Sequence, residues 1–158
     1  MKRNHPKDEP QAKTIQVWSY PQAKSAFAYI ASVLRSLREH RLEAQQHQLA
    51  ARRLADQPGR PDRKAIIAHQ EELQQARLAE DRFQEALEEL QNLDIYCLDP
   101  VGGLALIPFV QEEQLAWFIF DLFAEDPVQF WRYHSDPLEK RRPLKEIQQG
   151  SADLNLVV

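Results

Sequence analysis

Cysteine occurs once in these 158 residues, methionine once and glycine four times. A lone thiol, Cys97, rules out an intrachain disulfide and fits a reducing compartment, so the cytoplasm is the expected location. Glycine-rich phosphate cradles are missing as well. Gly102-Gly103 follows a turn and precedes a strand, without the strand-before, helix-after context of a nucleotide loop. Long apolar runs are also lacking. The longest, Leu115–Phe120, has six residues, against the roughly 20 needed to span a bilayer, so no membrane contact is expected. Basic residues after Met1 lead into no apolar stretch, so no secretory signal is expected there. No serine or cysteine nucleophile is marked by a motif, and no cofactor is expected.

What is present suffices for a core, since 43% of residues are hydrophobic. The net charge of −4 argues against bulk attraction to nucleic acid, which is not an expected partner. Its distribution is uneven. Residues 1–60 hold 11 basic and 5 acidic side chains, 61–100 hold 4 and 10, and 101–158 hold 5 and 9. The first two blocks coincide with two long helical segments, each the other's natural electrostatic partner.

Residues 1–12, rich in lysine, arginine and proline, read as a mobile tail. Residues 13–18 include the alternating Thr14-Ile15-Gln16-Val17-Trp18, a candidate strand. Ser19 and Gln22 make a capping box, and Pro21 is tolerated in a first helical turn. From there to about Asp56 neither glycine nor a further proline interrupts the helix. That predicts a rod of roughly 54 Å at about 1.5 Å per residue. Gln57-Pro58-Gly59-Arg60-Pro61 ends it, and Asp62 caps a second helix that runs to about Leu93. The short loop makes the helices antiparallel neighbours over residues 20–93.

Phe27, Ile30, Leu34 and Leu37 face Leu73, Ala76, Phe83, Leu87 and Leu90 across this hairpin. Toward the tip the matching positions are Arg41, Ala44, Gln48 and Ala51, which offer less burial. Leu42 and Leu49, seven apart, sit about a quarter turn off the main stripe. They are either drift of a straight helix or a second contact face.

After Leu93 the period changes. Leu104–Phe109 and Leu115–Phe120 read as a β-hairpin covered on both faces, with Val128–Tyr133 as a third strand. Pro108 cannot donate to a ladder, so its strand should lie at an edge or end early. The expected fold is α+β: a long antiparallel helical hairpin, then a small antiparallel sheet over 94–134 packed on its base. Residues 13–144 form the domain, strand 13–18 is a candidate addition to the sheet, and 145–158 read as a loose C-terminal tail.

Gly103-Leu104-Ala105-Leu106-Ile107-Pro108-Phe109, Leu115-Ala116-Trp117, Phe130-Trp131 through His134, and Arg142-Pro143-Leu144 follow a recognisable order. Together with Trp18, Ser19 and Gln22 ahead of the first helix, this arrangement resembles the bacterial family catalogued as domain of unknown function 2203. The resemblance spans about Val17 to Leu144. Two departures stand out: Arg132 and Tyr133 separate Trp131 from His134, and Asp121-Leu122-Phe123-Ala124 replaces the family's Gly-Glu. The resemblance implies a fold and lends no activity.

The densest polar cluster is Arg132, His134, Asp136, Glu139, Arg141 and Arg142, with Trp131 and Tyr133 among them. Read as a site, His134 is a base oriented by Asp136 or Asp121, and the arginines hold a small anion. Read as scaffolding, His134 and Asp136 shape a turn and the arginines pair with nearby acids. His40, Glu43 and His47 have metal-like spacing but are expected to face water. Arg35, Arg38, Arg41, Arg52 and Arg53 are expected to be balanced by the acids of the second helix. Cys97 reads as a small core residue. The leading expectation is a non-enzymatic interaction or scaffold protein whose hairpin arm contacts a second copy or another protein through Leu42 and Leu49. The alternative is an anion-binding domain or enzyme built on Trp131, Arg132, His134, Asp136, Arg141 and Arg142.

Overall fold

The computed structural model describes residues 14–148. Helix α1 spans Tyr20–Ala55 and helix α2 spans Arg63–Gln91. The capping box forms as expected: Ser19 Oγ accepts from the Gln22 amide, and Gln22 Oε1 accepts from the Ser19 amide. Asp62 caps α2 by accepting from the Ala65 amide at 2.8 Å. Between the helices Gly59 adopts φ +92°, a left-handed conformation that glycine reaches without a Cβ clash. The two rods pack as an antiparallel hairpin.

Five antiparallel strands follow: β1 Tyr96–Asp99, β2 Leu104–Gln111, β3 Gln114–Asp121, β4 Val128–Tyr133 and β5 Arg142–Pro143. They lie side by side in chain order. A short helix, α3, covers Lys145–Gln148. The α+β architecture expected from the sequence is the one observed.

Alternation divides the sheet between two faces. Ala105, Ile107, Phe109, Ala116, Phe118, Phe120, Val128 and Trp131 join Ile30, Leu34, Leu37, Phe83 and Leu90 of the hairpin base in one core. Phe109 and Phe118 stack there with centroids 3.9 Å apart, and Trp131 meets Phe109 edge-on. The other face carries a smaller cluster of Leu106, Trp117 and Ile119, with Leu98 and Leu115 against it. Gly103 is needed where β2 begins: its φ is +70°, and a Cβ there would come within 2.7 Å of Leu122 Cβ.

Four expectations require correction. Residues 14–18 form no strand; Trp18 only donates its amide to the Pro108 carbonyl, and Gln16 donates to Asp94. Residue 13 and the tail 1–12 lie outside the described residues. The Pro108 strand is internal and eight residues long, between β1 and β3. Proline is tolerated because β1 stops at the Tyr96–Leu106 pair, so no ladder donor is required of it on that side. Lys145–Gln148 is helical and Ile147 is buried, so this part of the chain is anchored to the core; residues 149–158 are not described. Finally, Leu73 is 45% exposed, outside the helix–helix seam.

The seam itself differs along its length. Beyond Phe83 it is closed by Ala44, Ala51, Ala76 and Ala79, all buried. The distal seam is thus filled by small side chains, where the base uses large ones.

Candidate functional site

The polar cluster grows out of the end of β4, where alternation sends successive side chains to opposite faces. Trp131 points into the core, and its indole N–H donates to the Pro143 carbonyl at 3.2 Å. Tyr133 packs edge-on against Trp131 with centroids 4.8 Å apart. Its hydroxyl donates to Glu112 at 3.3 Å; burial, then the Glu112 charge, push its pKa up. Arg132 faces the other way, opposite Trp117 in the register, and only 6% of it is exposed. Its guanidinium donates to the carbonyls of Asp136 and Tyr133 at 3.1 and 3.4 Å.

Asp136 is the hub. Its carboxylate accepts from the Tyr133 amide at 2.9 Å and from Arg142 Nε and Nη2 at 2.8 and 3.0 Å. This two-pronged pairing, helped by the backbone bond, draws its pKa down to about 2 despite an opposing desolvation. Arg142 in turn spreads over the rings of Trp131 and Tyr133, at 5.5 and 4.9 Å. The carboxylate, the guanidinium and the two aromatic faces close the turn after β4 and seat β5 on it. Arg141 is exposed and donates to the Leu138 and Lys140 carbonyls at 2.7 and 3.1 Å.

His134 does not meet the acids proposed to orient it. Its Nδ1 accepts from the Trp117 indole N–H at 3.1 Å, which places the proton of a neutral ring on Nε2. Asp136 is occupied by Arg142, and Asp121 Oδ1 accepts from the Phe123 amide at 3.0 Å. The six sequence-selected residues are therefore split: Trp131, Asp136 and Arg142 on the core edge, Arg132 and His134 on the outer face, Arg141 toward solvent. Within it Asp136 and Arg142 neutralise each other and brace the turn, while Arg132 and Arg141 are held by backbone carbonyls alone.

The hairpin holds surprises that spacing alone did not expose. His47 was expected in water, yet its Nδ1 lies 2.6 Å from Glu72 on the opposite helix. His40 Nδ1 is buried without a hydrogen-bond partner among the described residues, 3.7 Å from Glu43. A groove of about 290 Å³ beside it is lined by Ser32, Ser36, Arg82, Glu85 and Glu89. A second cavity, about 380 Å³ and half open, lies at the tip against Pro58, Ile66 and His69. Among the described residues no three His, Cys, Asp or Glu side chains stand together as a metal site. The register that sets the apolar stripes of the hairpin against each other, applied to its polar residues, also puts His47 beside Glu72.

Arg41 marks where base becomes arm. Its guanidinium lies 3.9 Å above the Phe83 ring and 3.4 Å from Glu80. Arg38 donates to the Val101 carbonyl at 3.0 Å and stands 5.2 Å from the Phe123 ring, tying α1 to the sheet. Burial, then the charge of Asp99, push the Cys97 thiol up to about 11, which keeps it protonated and unreactive near neutrality. Past Arg41, large aliphatic side chains lie outside: Leu42, Leu49, Ile66, Ile67, Leu73 and Leu78 are each more than a third exposed.

No described helix is long and apolar enough to cross a membrane. No family model matches the chain, and neither a curated protein nor a solved structure matches it, so the likeness to domain of unknown function 2203 rests on the residues quoted above.

Proposed function

We propose that the protein is a non-enzymatic interaction or scaffold protein whose hairpin arm is its contact surface. The observation that carries this reading is the inversion of side-chain size along the arm. Alanines fill the distal seam, while Leu42, Leu49, Ile66, Ile67, Leu73 and Leu78 stay outside it. Burying exposed aliphatic surface is worth about 25 cal/mol per Å², so several such side chains on one arm supply a driving force for docking. The anion-binding or enzymatic alternative is less favoured, because Asp136 and Arg142 are spent on each other and His134 is held by an indole.

The test is hydrogen exchange on the purified protein with and without a cross-linked partner fraction from its host. Slower exchange of amides in 42–55 and 63–78 on partner binding, abolished by L42S/L49S, supports the reading. A protected footprint confined to residues 130–142, or phosphate-induced NMR shifts at His134 and Arg142, would instead favour the alternative.

A further inference from the structure

Three residues on α1 and its C-cap repeat at sevens: Arg35, Leu42, Leu49 and Asp56. Each step of seven residues turns a helix by roughly −20°, so the four form one gently drifting row. The row lies about 160° round the helix from the seam residues Ala44 and Ala51, on the back of α1, opposite α2. All four side chains are exposed. Among the described residues neither Arg35 nor Asp56 has an ion-pair partner, and the same is true of the flanking Glu39 and Arg53.

The order along the row is cation, apolar, apolar, anion. Such an order satisfies itself when a second identical row lies against it in the opposite direction. Arg35 of one copy then faces Asp56 of the other, Leu42 faces Leu49, and each contact occurs twice about a twofold axis, as an isologous interface requires. The flank obeys the same symmetry, since Glu39 falls on the same side of the row as Arg53 of the other copy and at nearly the same height. One contact is unfavourable, Arg38 against Arg52. Its cost is reduced because Arg38 is turned onto the Val101 carbonyl and the Phe123 ring.

We infer that the arm's partner is a second copy of this chain, docked back to back and antiparallel through the Arg35–Leu42–Leu49–Asp56 row. This rests on the arm being a contact surface and names what it contacts. A rod contact about 31 Å long and about 10 Å wide covers roughly 300 Å² per copy, well under the about 800 Å² of a standard stable interface. The dimer is therefore weak, with a dissociation constant in the micromolar range or above. The leucines supply the attraction and the end charges set the direction.

Sedimentation equilibrium of the full chain, from about 1 to about 500 μM, reads the constant directly. R35E and D56R should each weaken association about tenfold, whereas R35E/D56R together should restore it. That rescue cannot be intramolecular, because the two side chains stand roughly 31 Å apart along one helix. L42D/L49D should abolish the dimer with helical circular dichroism unchanged. A chain that stays monomeric throughout, while its arm is still protected by a host partner, overturns the self-association and leaves the contact-arm reading standing. A dimer indifferent to L42D/L49D, with no arm protection by any partner, overturns both. A dimer weakened by L42D/L49D but not rescued by the charge exchange overturns the antiparallel register.

Discussion

At the base of the hairpin Ile30, Leu34, Leu37, Phe83 and Leu90 are buried with the sheet against them, whereas farther out the buried positions are Ala44, Ala51, Ala76 and Ala79. One pair of helices is thus held in two ways. The base removes large apolar side chains from water, whereas each buried alanine of the arm removes little area. The difference teaches that arm length and arm stability are separable. A rod can extend far from its core if its seam is narrow, and its large side chains are then released for outside contacts.

The comparison is broken most forcefully by truncation at the base. Leu34→Ala should cost about 2–5 kcal/mol in urea unfolding, because Leu34 is fully buried among hairpin and sheet. A loss under about 1 kcal/mol would mean the base is no better packed than the arm. Next comes overfilling the seam. Ala79→Leu should destabilise by about 1–3 kcal/mol, since no room exists for three added carbons; stabilisation would show the distal seam to be loose.

A smaller effect, of opposite sign, belongs to the β2–β3 turn. Glu112 and Glu113 adopt φ of 48° and 63° between the paired Gln111 and Gln114, a geometry that Asn-Gly accommodates with less strain. Glu112→Asn with Glu113→Gly should raise stability by about 1 kcal/mol, less whatever the Tyr133–Glu112 bond contributes. The smallest effect is acid-dependent. Asp136 is drawn from 3.8 to about 2 in the folded protein, so its contribution is complete above about pH 4 and is lost as pH falls through about 2. D136N should flatten the stability profile in that window while leaving the shape above it unchanged. A parallel acid limb in D136N would show that Arg142 gains nothing from the pair.

Much of the fold is legible in the sequence. Ser19 and Gln22, Pro58-Gly59 and Asp62 announced where the helices begin and end, because caps and breakers act on neighbouring residues. The continuous apolar runs of β2 and β3 foretold a sheet with apolar side chains on both faces, and Leu42 and Leu49 were already out of step with the main stripe. The short strand β5 and the buried Ile147 were not legible. Two residues of strand and one turn of helix carry no periodicity, and only docking on Trp131 and Gln129 fixes them. Thr14–Trp18 misled in the other direction, since alternation was present but β2 offered it a single carbonyl.

The candidate cluster illustrates the same division. Its residues were visible as charged and aromatic neighbours in sequence, but adjacency says nothing about which acid takes which base. Alternation along β4 parts Arg132 and His134 from Trp131, and the return of β5 brings Arg142 to Asp136 before any ligand could.

By itself the sequence determined element type, helix ends and the antiparallel return of the rods, because these follow from short-range sterics, capping and periodicity. Only the tertiary structure decided which side chains share a partner: His47 with Glu72, Trp117 with His134, Asp136 with Arg142. Such pairings depend on angles and registers between elements, where a shift of one residue reverses a face and a shift of a few ångströms makes or loses a hydrogen bond.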